Sequence, residues 1–252
     1  MDEVQMYREF LKSTRWTEWE GMSTDQRRGV PAPPLEKPCP PEARGVELVA
    51  PSDLTVGAMP LIEAMRRRRS SRRFTAEPLS LEELSFLLWA TQGVREVAQG
   101  GAATRRTVPS AGSRHPFETY LAVHRVTGLE PGLYRYLPVE HRLCFLWADP
   151  ALPQRVIAGC RGQRFAGECA ATFIWTVIPY RAEWRYSVIA HKMIAQDAGH
   201  LCQNLYLAAA SIGAGTCAIG AYDQAAMDAL LGVDGHDEFT IYVAPVGKVE
   251  AD

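Results

Sequence analysis

The spacing of apolar residues divides the chain into stretches of different character. Met6, Phe10 and Leu11 predict a short helix within residues 1 to about 20. Residues 30–60 then carry eight prolines, from Pro31 to Pro60. Each proline fixes φ and removes a backbone donor, so this stretch is expected to be an extended connector or wrapping arm without regular structure. Pro60 suits the first turn of a helix running through Leu61, Ala64 and Met65 into a run of arginines. Ser80-Leu81-Glu82-Glu83 has the form of a capping box, opening a helix with Leu84, Leu87 and Leu88 inward and ending near Gly93.

The period then shortens. Thr119 to Val126 alternates, and Gly132 to Tyr136 and Leu143 to Trp147 follow after turn signals, which predicts a meander. Thr172 to Ile178 is continuously apolar and fits a central strand covered on both faces. From Tyr186 to Ile212 the helical period returns, with Ile189, Met193, Leu201, Leu205, Ala208 and Ile212 in one stripe. Asp197 interrupts that stripe and is expected to be hydrogen-bonded rather than solvated. Thr216 to Ile219 reads as a strand, Asp223 as the cap of a helix stopped by Gly232, and Phe239 to Gly247 as the last strand. The sum is an α+β domain with one or two long core helices. The expected division is an N-terminal helix and proline-rich arm over 1–59 and a domain over 60–252.

Composition narrows the function classes. The chain of 252 residues is 47% hydrophobic and 22% charged with a formal charge of −2, which argues against a nucleic-acid or polyanion binder as a whole. No apolar run reaches the roughly 18 residues of a membrane-spanning helix, and the mixed N-terminus shows no secretory signal. Six scattered cysteines without a C-x-x-C pair read as reduced, mostly buried thiols of a cytoplasmic protein. The six histidines show no H-E-x-x-H pattern, so no metal site is expected, and no G-x-S-x-G elbow is present.

Arg66 to Phe74 (RRRRSSRRF) stands out against this background, with six arginines in eight positions. Arg66 and Arg67 fit a basic face at a helix C-terminus as well as they fit a ligand site. For the rest, guanidinium forks beside a hydroxyl and loop amides form a shell that matches phosphate. Gly213 to Ala218 satisfies G-x-G-x-x-A, but a helix precedes it and a strand follows. A dinucleotide fingerprint needs the reverse order, so the match is discounted.

Six segments occur in an order that resembles one family. They are Arg68 to Phe74, Pro109-Ser110-Ala111-Gly112, Gly132 to Tyr136, Asp197-Ala198-Gly199-His200 with Gln203-Asn204, Ala218 to Asp223, and Pro245 to Lys248. Over roughly residues 60 to 250 the chain resembles the nitroreductase superfamily of FMN enzymes. It is most similar to the SagB-type branch, the thiazole- and oxazole-forming azoline dehydrogenases. The resemblance implies a dimer with a mainly antiparallel central sheet flanked by helices, and a proline-rich segment suited to embrace the partner. It places the FMN phosphate on Arg68, Ser70 and Arg72, with Arg69 close by and Lys248 adding charge. Pro109, Ser110, Ala111, Gly112 and Ser113 would lie along the isoalloxazine ring, usually that of the partner subunit. Gln163 would face the flavin pyrimidine, and the backbone of Gly220 and Ala221 would point at N5. His200 is expected to orient Asp197 or a backbone group. Cys202 and Cys217 are expected to serve packing.

Azoline-oxidising relatives carry a Lys-Tyr pair before the long helix, where this chain has Arg185-Tyr186. Arginine stays protonated and cannot act as a base, so Tyr186 is the proton-transfer candidate and Arg185 its electrostatic partner. Three readings stand at this point. One is an FMN-dependent dehydrogenase of an azoline, peptide-derived or other natural-product intermediate, with biosynthetic partner proteins. The second is an NAD(P)H-dependent quinone or nitroaromatic reductase, in which the nicotinamide visits the flavin pocket in ping-pong fashion. The third is a module that has kept the fold and lost the chemistry.

Overall fold

The computed structural model describes residues 2–250. Helix α1 (Glu3–Leu11) is capped by Asp2 and followed by a 3-10 helix over Thr14–Gly21. Strand β1 (Gly45–Glu47) is the short regular strand inside the proline-rich stretch, followed by a 3-10 turn at Pro51–Asp53. Helix α2 (Leu61–Arg67) opens behind Pro60. Helix α3 (Leu81–Gln92) carries both bonds of the capping box between Ser80 and Glu83 and stops at Gly93. A hairpin, β2 (Val94–Ala98) and β3 (Ala103–Arg106), leads to the meander β4 (Phe117–Val123), β5 (Gly132–Leu137) and β6 (Arg142–Trp147). Helix α4 (Leu152–Gly159), strand β7 (Ala171–Val177) and helices α5 (Tyr180–Tyr186) and α6 (Ala190–Ser211) come next. Strand β8 (Ala214–Thr216), helix α7 (Gln224–Leu231) and strand β9 (Phe239–Lys248) complete the chain.

Seven strands form one sheet in the order β1-β6-β5-β4-β7-β9-β8, and every neighbouring pair is antiparallel. Both faces are covered. On one, Leu121, Phe173 and Trp175 pack with Leu84, Leu87 and Leu88 of α3 and Leu201 and Leu205 of α6. On the other, Tyr120, Ala122 and Ile174 meet Val156 of α4 and Met227 and Leu230 of α7. Each Leu, Val, Ile, Phe or Met among them contributes about 1.5–3 kcal/mol on leaving water. Two helical layers also explain why β4, expected to alternate, is buried at every position.

Two expectations are corrected. The helical period from Tyr186 to Ile212 is not one helix: α5 ends at Tyr186, Ser187 takes φ +47°, and α6 begins at Ala190. That break turns Tyr186 off the α6 axis. The cysteines are not all reduced either. Cys39 and Cys144 form a disulfide, with Cα atoms 5.9 Å apart across 105 positions of sequence. Cys160, Cys169, Cys202 and Cys217 are free and buried. No sequence spacing marks a pair so distant, because it exists only once the proline-rich stretch lies along β6.

The proline-rich arm lies on its own sheet rather than reaching away from it. Arg135, 4% exposed, donates to the carbonyls of Lys37 (3.1 Å) and Pro38 (2.6 Å). Arg106 donates to Leu35 O at 3.1 Å, and the Trp184 indole donates to Val30 O at 2.8 Å. Polyproline-like backbone has no partners of its own, so these side chains satisfy its carbonyls. Among the described residues no helix is long and apolar enough to cross a membrane.

Candidate functional site

The residues singled out from sequence fall into two clusters. The first gathers around Tyr206 of α6. Its hydroxyl lies 3.1 Å from Ser70 Oγ and accepts a 2.9 Å bond from the Ala218 amide. The Arg68 guanidinium sits over the Tyr206 ring, 5.5 Å from its centroid. Ser70 also bridges to Thr216, and the Ser71 amide donates to Thr216 O at 2.9 Å, so the arginine segment adds an edge contact beyond β8. Gly215 permits that approach, since a Cβ there would lie 2.5 Å from Ser71 Oγ. Arg72 places its guanidinium over Phe165 at 5.9 Å, and Gln163, two residues before, donates to Ala221 O at 2.9 Å. Contacts thus run from Arg68 and Ser70 through Tyr206 to Ala218, on to the Gly220-Ala221 bend, and back through Gln163 and Phe165 to Arg72.

The segment alternates. Arg67, Arg69 and Ser71 line a cleft of about 460 Å³ with Gly213, Gly215 and Tyr206, while Arg68 lies on the Tyr206 ring and Arg72 on Phe165. Arg66 and Arg67 close the last turn of α2 and lie within 4.0 Å of Glu63, as a basic helix end would. Lys248 is differently placed from its expected role. Its ammonium is ion-paired with Glu83 of α3 and donates to Ile212 O at 2.9 Å, with its side chain 13% exposed. It neutralises a carboxylate and closes the C-terminal end of α6, so its charge is already engaged inside the fold.

The second cluster gathers around Asp197, two and a half turns before Tyr206. Ser110 Oγ donates to Asp197 Oδ2 at 2.6 Å, and the Ala111 amide donates to the same oxygen at 3.1 Å. Ser110 Oγ accepts in turn from the His115 amide at 2.9 Å. Burial raises the Asp197 carboxyl above its ordinary value, with the Ser110 and Ala111 bonds opposing. His200 Nδ1 lies 3.6 Å from the other oxygen, just beyond hydrogen-bond distance. Pro109 to Ser113 is thereby held as a tight turn, with Gly112 at φ +58°. A Cβ on Gly112 would sit 2.5 Å from the Tyr186 hydroxyl and 2.8 Å from Arg185 Nε. The Arg185-Tyr186 pair therefore faces this turn, with the guanidinium 5.4 Å from the Tyr186 ring centroid. Arg185 Nε is buried with no hydrogen-bond partner among the described residues, a donor left over at the mouth of the turn. Arg114 stacks on Trp184 at 4.7 Å; burial, then the nearby Arg185 and Arg181, lower its pKa. Trp16 and Trp19, from the 3-10 helix near the N-terminus, pack on Tyr186 with centroids 6.2 and 5.6 Å away.

Sequence reasoning did not identify Tyr206, Phe165, Glu83, Trp16 or Trp19 as parts of these clusters. Tyr206 carried only a weak signal, a phenol on the face of the long helix opposite Asp197 and outside the apolar stripe. The Trp residues carried none, because their meeting with Tyr186 spans about 170 positions of sequence.

The antiparallel sheet between two helical layers defines an α+β protein of the nitroreductase fold. The Nitroreductase family model matches residues 65–248, and the chain belongs to that family of oxidoreductases. MJ1384 of Methanocaldococcus jannaschii, itself provisionally named a nitroreductase, is 31% identical over 188 residues, covering 75% of this chain and 90% of its own. The trifolitoxin-processing protein TfxB of Rhizobium leguminosarum bv. trifolii is 32% identical over 121 residues, 45% of this chain and 31% of TfxB. A crystal structure from Ralstonia eutropha JMP134, likewise provisionally named a nitroreductase, superposes with a TM-score of 0.68 at 27% identity. The match covers 88% of this chain and 98% of that one.

Proposed function

We propose that this protein is an FMN-dependent oxidoreductase of the SagB-type branch, acting on an azoline or another peptide-derived or natural-product intermediate. The observation that carries the FMN assignment is the position of the Tyr206 phenol, bonded to Ser70 on one side and to Ala218 on the other. It brings the phosphate-type donors and the Gly220-Ala221 bend, more than 140 positions apart in sequence, to one place. The donor chemistry fits a phosphate-tailed ring. Among the described residues, Arg68 and Arg72 rest on aromatic faces rather than carboxylates, leaving their N–H forks available for an anion. Thr216 Oγ1, buried beside Ser70, has no hydrogen-bond partner among the described residues. Arg68, Ser70 and Arg72 would hold the phosphate, and the backbone of Gly220 and Ala221 the ring nitrogen that takes hydride. Gln163 would meet the pyrimidine edge through its amide oxygen, since its N–H groups are donated to Cys160 O and Ala221 O. When bound, FMN supplies the two-electron acceptor and donor chemistry.

The relation between the clusters supports completion of the site by a second copy of the chain. Asp197 and Tyr206 are nine residues apart on α6, so they are about 13 Å apart along its axis and about half a turn out of phase. One α6 therefore presents the Pro109–Ser113 turn and the phosphate donors on opposite faces. A two-fold pairing would bring the turn of one subunit to the donors of the other. The branch assignment draws support from the sequence likeness to TfxB, whose name ties that protein to trifolitoxin processing.

Tyr186 is suited to hold or pass the substrate proton, as its hydroxyl faces the Gly112 turn. Arg185, with its planar guanidinium, would orient an anionic group of the substrate. The exchange of the branch's lysine for Arg185 favours a second reading, an NAD(P)H-dependent reductase of quinones or nitroaromatics. Anaerobic stopped-flow mixing of the FMN-loaded protein with NADPH separates them. Slow or no bleaching of the flavin supports the dehydrogenase, and rapid bleaching establishes the reductase. No affinity for FMN at all would leave a non-catalytic module.

A further inference from the structure

The Thr14–Gly21 helix lies outside the residues that match the family, yet it covers the candidate proton-transfer residue. Trp16, Trp19 and Tyr186 form a triangle of rings, with 5.4 Å between the two indoles. Tyr186 is left only 8% exposed, whereas Trp16 is 42% exposed. We propose that Trp16 and Trp19 are specificity-determining residues, a wall that sets how large a ring system can approach Tyr186. The inference rests on the reading of Tyr186 as part of the substrate site.

The wall is braced from behind. The Arg27 guanidinium stacks on Trp19 at 4.4 Å and donates to the carbonyls of Trp19 (2.7 Å), Glu20 (3.2 Å) and Met22 (2.7 Å). These carbonyls close the 3-10 helix, so one side chain fixes both the backbone and the indole. The Gln26 amide donates to Trp184 O at 2.9 Å, and the Tyr180 hydroxyl donates to Asp25 at 2.7 Å, which ties the following turn to α5. Lys192 of α6 donates to Ser13 Oγ at 2.9 Å at the other end of the segment.

The ring spacing sets what can pass. A flat ring lying between two others needs about 7 Å from face to face, twice the carbon contact distance. Trp19 and Tyr186 are 5.6 Å apart and inclined by 37°, so the Trp19 indole occupies the place a substrate ring would take over the phenol. Beyond Trp16 opens a cleft of about 580 Å³ between α1 and the start of α6, lined by Phe10, Trp16, Ile189 and Met193 among others. Trp16 lines this cleft and Tyr186 does not, so a substrate ring lying in it meets the Trp16 indole before the phenol. A fused bicyclic system would need the indoles displaced further than a single ring does.

The test uses the FMN-loaded protein reduced with dithionite and mixed anaerobically with 1,4-benzoquinone or with menadione. Each turnover passes two electrons and two protons from reduced flavin to the quinone, giving the hydroquinone and oxidised flavin. In Trp19→Ala the rate constant for menadione relative to benzoquinone is expected to rise about tenfold or more. Trp16→Ala shifts it in the same direction, and Trp19→Phe lies between. An unchanged ratio in variants of wild-type flavin content overturns the proposal. A second readout needs no flavin: nitration of Tyr186 by tetranitromethane, located by mass spectrometry. Protection in the wild type and labelling in both alanine variants support the wall, and equal labelling overturns it. A chain that takes up no FMN would defeat the functional reading, while nitration still decides the wall.

Discussion

The Asp197 carboxylate accepts a 2.6 Å bond from the Ser110 hydroxyl across 87 positions of sequence. The same oxygen takes the Ala111 amide, so one buried atom of the long helix fixes the turn that faces Tyr186. Asp197→Ala leaves both donors without an acceptor and is expected to destabilise the protein by about 1–3 kcal/mol. Asp197→Asn keeps an amide oxygen for both donors and removes the charge. The two variants then differ in a pH-dependent way. Burial raises the Asp197 pKa in the folded state, so the folded form takes the proton more readily than the unfolded chain. The cost of ionising it is absent below the ordinary aspartate range and fully present above the raised value. Urea unfolding of wild type and Asp197→Asn at about pH 4 and about pH 7 should therefore favour the asparagine variant more at the higher pH. A difference independent of pH would contradict this.

Arg68 and Arg72 carry the phosphate assignment. Each charge-assisted contact is worth about 1.5–3 kcal/mol, so the double alanine variant should lose FMN affinity by orders of magnitude with its circular dichroism unchanged. Fluorescence titration with FMN measures the loss. Wild-type affinity in that variant would remove the phosphate from this segment.

Lys248 makes a contrasting case. Its partner Glu83 is 14% exposed and also accepts from the Ser80 amide in the capping box. Lys248→Met should lower stability by about 3–5 kcal/mol by leaving that carboxylate without its cation. Lys248→Met/Glu83→Gln should recover part of the loss. Thermal unfolding of the single and double variants checks both, and FMN affinity corrected for unfolding should fall less than with Arg68→Ala.

The arm is fastened covalently. Denatured but unreduced, the chain should titrate four thiols, since Cys39 and Cys144 are bonded; six would show that the bond does not form. Reduction is expected to remove about 2–4 kcal/mol of stability and to open residues 30–44 to proteolysis.

What could be read from sequence follows from how local each signal is. The Ser80-Glu83 capping box, the Gly232 stop at φ +70° and the two-sided burial of β7 are written within a few residues. The hydrogen-bonded state of Asp197 was also legible, as a carboxylate inside an apolar stripe has no other stable option. The break at Ser187 was not, because apolar periodicity continues across it while Ser187 leaves the helical conformation at φ +47°. The Cys39–Cys144 bond, the Glu83–Lys248 pair and the Trp16–Tyr186 contact each join distant segments, which only the closed fold brings together. The arginine-serine segment was conspicuous from its composition. Its alternation, with Arg68 and Arg72 on aromatic rings and Arg67 and Arg69 on the cleft beside Tyr206, needed the edge contact with β8 to be seen.

The most direct test of the central claim is the visible absorption spectrum of the purified protein, taken before and after addition of FMN and desalting. The account predicts flavin absorbance that stays with the protein through the column, in a ratio near one FMN per chain. A colourless protein that releases all added FMN on desalting would contradict it.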